Sequence, residues 1–93
     1  MNREQLISKL EAKYTNLRFR TTEEFDGTKG GIWTSGESGE LAKDKFPLFN
    51  YYSEDYKEVR YQFGVHKEVR AILEPLGWYC EWYDAGTVFI FEQ

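Results

Sequence analysis

The segment Gly77-Trp78-Tyr79-Cys80-Glu81-Trp82-Tyr83-Asp84-Ala85-Gly86-Thr87-Val88-Phe89-Ile90-Phe91-Glu92 constrains the fold of this chain more than any other. Two runs of aromatic and β-branched residues flank Asp84-Ala85-Gly86, the signature of a β-hairpin. A connection with Asp84 and Ala85 in a type I turn and Gly86 in the left-handed position opposes Tyr83 to Thr87, Trp82 to Val88 and Cys80 to Ile90. Side chains alternate across a strand, so one face carries Trp78, Cys80, Trp82, Val88 and Ile90. The other carries Tyr79, Glu81, Tyr83, Thr87, Phe89 and Phe91. The first set is wholly apolar and belongs against a core. The second mixes phenols, a carboxylate and phenyl rings. A sheet covered on one side needs only one apolar face, so this second face must be roofed or be used. A two-residue turn would shift the pairing and move Phe89 and Phe91 inward.

Upstream, Asn2 with Gln5 three residues later forms a capping-box pattern. Leu6, Ile7, Leu10 and Tyr14 then share one helical face, and the helix is expected to end near residues 14–16. Leu17-Arg18-Phe19-Arg20-Thr21-Thr22 alternates as a half-buried strand with Leu17 and Phe19 inward. Ile32-Trp33-Thr34 is a second short strand, so residues 17–35 read as a hairpin with a long polar connection. Residues 46–63 lack a clear period; they suit an irregular cover, with an extra strand over Tyr56 to Phe63 as the alternative. Val65, Val69, Ile72, Leu73 and Leu76 have helical spacing, with Pro75 in the last turn and Gly77 just past it. The expected architecture is one α+β domain over residues 1–93: an antiparallel sheet of four or five strands with two helices on one face, in the order α-β-β-(β)-α-β-β.

Charge and composition narrow the function classes. The net charge is −4. Residues 1–46 hold eight basic and eight acidic side chains, whereas residues 47–93 hold four basic and eight acidic, so the whole deficit lies in the second half. That half also carries twelve of the seventeen aromatics. Phosphate contacts need clustered Lys and Arg, so nucleic acid is an unfavoured partner, and stacking of single strands lacks its basic groove. A protein partner with basic character fits better. Cys80 is the one cysteine, so no intrachain disulfide forms and a reducing compartment is expected. No apolar run reaches membrane-span length. These features imply a cytoplasmic protein without a membrane partner.

Catalytic constellations are sparse. His66 stands at a helix start, where a surface or capping role is commonest; as a general base it would need Asp55, Glu81 or Asp84 to orient it. Cys80 lies mid-strand on the core-facing side, without a visible base. One histidine and one cysteine do not make a zinc site, and Glu23, Glu24 and Asp26 read as a solvated acidic turn; no metal or cofactor is expected. The glycines between residues 27 and 39 match neither phosphate-binding fingerprint. Arg18, Arg20 and Lys29 would suit an anion as well as solvent.

The stretches Gly31-Ile32-Trp33-Thr34-Ser35-Gly36, Leu48-Phe49-Asn50-Tyr51-Tyr52, Gly64-Val65-His66-Lys67-Glu68 and Gly77 to Thr87 resemble small uncharacterised proteins encoded by bacteriophages and prophages. That resemblance covers most of the chain and implies a bacterial or phage-infected cytoplasm, where small acidic phage proteins often bind host proteins, defence enzymes included. The reading that follows is a non-enzymatic protein-binding module. Its expected contact residues are Tyr79, Glu81, Tyr83, Phe89 and Phe91, with Trp33 beside them; the same face would also suit a homodimer. The alternative is a small enzyme or ligand-binding domain with a site around His66, Asp55 and Asp84.

Overall fold

A computed structural model describes residues 1–53 and 60–93. Helix α1 spans Arg3–Lys13, with the Asn2 side chain accepting from the Gln5 amide and the Gln5 side chain closing the box on the Asn2 amide. Leu6 and Leu10 on this helix, and Tyr14 just beyond it, are buried. Strand β1 (Arg20–Thr21) leads straight into a short helix α2 (Thr22–Asp26), which ends on Gly27 in the left-handed conformation at φ 87°. Strand β2 is Ile32–Ser35. Strands β3 (Tyr61–Gln62) and β4 (Val65–His66) form a separate two-stranded hairpin. Helix α3 (Lys67–Leu73) follows and tightens into a 3-10 turn, Glu74–Leu76, at Pro75. Gly77, at φ 82°, then redirects the chain into β5 (Trp78–Asp84), and β6 is Thr87–Glu92.

The four longer-range strands form one antiparallel sheet in the order β1-β2-β6-β5. Trp78, Val88, Ile90 and Ile32 sit on its inner face in one core with Leu6, Leu10 and Tyr14 of the α1 region and Val69 and Leu73 of α3. The architecture is therefore α+β, with α1 and α3 contributing to the core on the sheet's inner face.

Four local expectations change. Leu17 and Phe19 are buried as their alternation requires, but only Arg20–Thr21 pairs with β2; the segment before it is held by side chains, including the Glu11 carboxylate accepting from the Phe19 amide (3.0 Å). The polar connection of the first hairpin contains α2, nucleated by acidic Glu23 and Glu24 in its first turn, where they favour the helix N-terminus. The C-terminal turn is two residues long: Asp84 opposes Thr87, and a bulge between Trp82 and Asp84 absorbs the extra residue, so Trp82–Val88 and Cys80–Ile90 keep their pairing. Asp84 tightens that turn by accepting from the Gly86 amide (2.9 Å), and Gly86 does not adopt positive φ. Finally, Val65 and His66 belong to β4 rather than to the helix. The expected strand from Tyr56 to Phe63 lies partly outside the described residues; its end, Tyr61–Gln62, pairs with β4.

Candidate functional site

The outer face of the sheet carries a continuous aromatic array. Trp33 on β2 and Phe89 on β6 are cross-strand neighbours. Phe25 of α2 lies over them, 5.0 Å from the Trp33 ring, 5.4 Å from Phe89 and 5.0 Å from Tyr83, the last two edge-on. Tyr83 also packs on Phe89 (5.0 Å), Phe89 on Phe91 (5.8 Å) and Phe91 on Tyr79 (6.3 Å). Edge-on and tilted geometries at these separations are the favourable ones for aromatic pairs.

Burial divides this array. Phe89 is 6% exposed beneath Phe25, and Trp33, Phe25 and Phe91 are half-buried. Tyr83 remains 52% exposed and Tyr79 38%, and Glu81 between them is exposed. Among the described residues the roof of this face is α2. Residues 46–63 were the expected cover; residues 54–59 lie outside the described residues, and residues 46–52 lie along the β3–β4 hairpin: the Asn50 amide donates to the Gly64 carbonyl (2.7 Å), the His66 amide to the Leu48 carbonyl (2.9 Å), and Phe49 and Tyr51 pack edge-on against Trp82. Phe25 escaped sequence reading because a five-residue helix has too little period to detect; the Thr-Glu-Glu start and Gly27 stop were its available signals.

Phe63 is a second feature the sequence did not disclose. It and Gly64 both have positive φ, 51° and 76°, at the tip of the β3–β4 hairpin, as a type I′ turn demands. The Phe63 side chain is 87% exposed, and its carbonyl accepts from the Trp82 indole (2.6 Å). Tyr51 and Tyr52, also exposed, meet edge-on, and Tyr51 packs edge-on against Trp82 (5.0 Å).

His66 is enclosed, 2% exposed, with both ring nitrogens engaged. Nδ1 accepts from the Glu68 amide (2.9 Å), capping α3. This places the proton on Nε2, which sits 3.0 Å from both Asp44 carboxylate oxygens. Asp44 also accepts from the Phe46 amide and the Arg60 guanidinium. Burial alone would raise the Asp44 carboxyl, yet the Phe46 amide, His66 and Arg60 together hold it below its usual range. Alongside, Glu68 accepts from the Tyr14 hydroxyl (2.7 Å) and the Lys43 amide (2.9 Å). Burial opposes ionisation of Glu68 too, but these two bonds and the Lys13 charge outweigh it and lower its pKa. Burial, reinforced by Glu68, pushes the Tyr14 phenol far above its ordinary range.

Among the described residues His66 is not hydrogen-bonded to Glu81 or Asp84, and Asp84 is occupied in the hairpin turn. Asp55 lies outside the described residues. The Cys80 thiol packs against the core, and burial pushes it up to about 12, which keeps it protonated near neutrality. Glu23, expected as a solvated acid, pairs with Arg3 (2.7 Å) and accepts from the Gly30 amide, while Asp26 caps the Thr28 amide. No group of three or more metal-ligating side chains occurs among the described residues, and no described helix is long and apolar enough to cross a membrane. No protein family model, curated protein or solved structure matches this chain.

Proposed function

We propose that this chain is a small, acidic, non-enzymatic protein-binding module, of the kind a phage uses in the cytoplasm to engage a host protein such as a defence enzyme. The observation that carries the reading is the rim of the outer face. Tyr79 and Tyr83 stay exposed with Glu81 between them, on a bed of Phe89, Phe91, Phe25 and Trp33 that fixes their rings. Preset aromatic rings with polar tips contribute contact area at little entropic cost, which is why Tyr is enriched at binding hot spots. In this reading Tyr79, Glu81 and Tyr83 touch the partner, while Phe89, Phe91 and Trp33 hold them in place. The acidic surplus favours a basic partner surface.

Capture from a bacterial lysate, wild type against Tyr83→Ala, tests the assignment. A partner retained by the wild type and lost by the variant supports it; equal recovery of every partner by both defeats it. The ligand-site alternative around His66 gains nothing from the geometry, because the ring nitrogens are consumed by the α3 cap and by Asp44.

A further inference from the structure

Among the described residues strand β5 is an edge of the sheet, and nothing described blunts its free side along most of its length. The Gln93 amide donates to the Gly77 carbonyl (2.8 Å), which fixes the alternation of the β5–β6 ladder. Tyr79 and Glu81 then exchange main-chain bonds with Phe91 and Phe89, and the N–H and C=O groups of Trp78, Cys80 and Trp82 point outward. No described strand pairs with that side. The bulge at the far end interrupts the edge only beyond Trp82.

Against this edge lies a cavity of about 320 Å³, lined by Trp78, Tyr79 and Cys80 of β5, Leu73 and Arg70 of α3, Glu74 just after it, and Gln62, Phe63 and Val65 of the β3–β4 hairpin. Tyr79 belongs to the outer face and its two neighbours to the inner one, so the cavity opens onto the strand edge itself. Trp78, 2% exposed, carries a buried indole N–H with no acceptor. Phe63 stands at the cavity wall in its left-handed conformation, a position that a bulky side chain rarely holds without a use.

Charge states what would fit. Arg70 and Glu74 bring one charge of each sign to the cavity, whereas Glu81, exposed on the outer face of β5, and Glu92, opposite Trp78, form no ion pair among the described residues. We infer that β5 accepts an extended partner segment as a fifth strand, with alternating basic and apolar side chains: apolar ones entering the cavity between Phe63, Leu73 and Cys80, basic ones lying over Glu81. This is strand addition, in which main-chain bonds supply affinity and alternate side-chain pockets supply selectivity. It rests on the protein-binding reading above and names the partner's chemistry.

The test uses the whole ¹⁵N-labelled chain and an acetylated, amidated heptapeptide, Lys-Val-Lys-Phe-Lys-Val-Lys. The expected result is saturable binding with the largest amide shifts at Trp78, Cys80 and Trp82. N-methylation of the peptide at alternate residues, in either of the two registers, removes its ladder donors and leaves its charge. One register weakens binding by roughly tenfold, the effect of losing two or so main-chain bonds. Glu81→Lys, on an exposed site, weakens the unmodified peptide several-fold with the fold intact by circular dichroism. Equal binding of both methylated peptides, shifts centred elsewhere, or no saturable binding overturns the inference. A lysate partner that depends on Tyr83 while the peptide fails would defeat strand addition alone and leave the binding reading standing.

Discussion

Tyr14, Glu68, His66 and Asp44 show how single polar side chains are used inside this small core. Tyr14 donates to Glu68, Glu68 accepts from Lys43, and His66 spans the Glu68 amide and Asp44. Tyr14→Phe strips Glu68 of one buried donor, an expected loss of about 1–3 kcal/mol in denaturant melts. The same contact sets an acid dependence. The folded Glu68 pKa lies below its ordinary 4.5, so its contribution is fully present above that value and is lost as pH falls through the folded pKa. Tyr14→Phe brings the folded pKa back toward 4.5, and the acid limb of the stability profile becomes shallower below that pH. Gly31 is equally specific. A Cβ there would lie 2.6 Å from Phe91 Cε1 and 3.0 Å from Thr22 Cγ2, so Phe91 rests on a bare backbone. Gly31→Ala must displace that ring, with an expected cost of about 1–3 kcal/mol, read as a lower thermal midpoint. Sequence alone marked Gly31 only as a turn residue, because a close approach from residue 91 has no local signature.

At the scale of elements, legibility followed period length. Helix α1 was readable from its capping box and its Leu6-Leu10-Tyr14 stripe, and both were found. Trp82–Val88 and Cys80–Ile90 were readable from alternation, and the inner face emerged correctly even though the turn is one residue shorter than expected. Helix α2 and strand β4 were not readable, and β3 only as the end of a possible strand over Tyr56 to Phe63: elements of five and two residues give little periodic signal, and Phe63-Gly64 lacks the Asn-Gly that announces a type I′ turn. That same mismatch makes a prediction. Left-handed backbone costs an L-residue with a large side chain about 1–2 kcal/mol, and Asn much less. Phe63→Asn is therefore expected to raise stability by about 1 kcal/mol in chemical denaturation while removing a wall of the β5 cavity. Helix α2 has the opposite character, since its Phe25 covers three rings at once. Phe25→Ala is expected to cost about 2–4 kcal/mol and to expose the outer face to an apolar dye, with fluorescence enhancement as the readout.

The whole molecule is a sheet with unequal covers. Among the described residues its inner face is closed by a core that includes α1 and α3, and its outer face by one five-residue helix that leaves the β5 side open. The sequence disclosed the excess of aromatic surface on the last hairpin. It did not disclose how much of that surface the chain hides, because the answer lay in where Phe25 lands across β2 and β6. Phe89 is covered and Tyr79 and Tyr83 are not, which moves the candidate contact from the centre of the face to its rim. The affinity of the captured partner for Tyr79→Ala/Tyr83→Ala, measured against wild type by titration calorimetry, tests this account most directly. Loss of two hot-spot rings is expected to weaken binding by about 30-fold or more, roughly 2 kcal/mol, with the thermal midpoint changed little because both side chains stand at the surface. An unchanged dissociation constant in a folded double variant would contradict it.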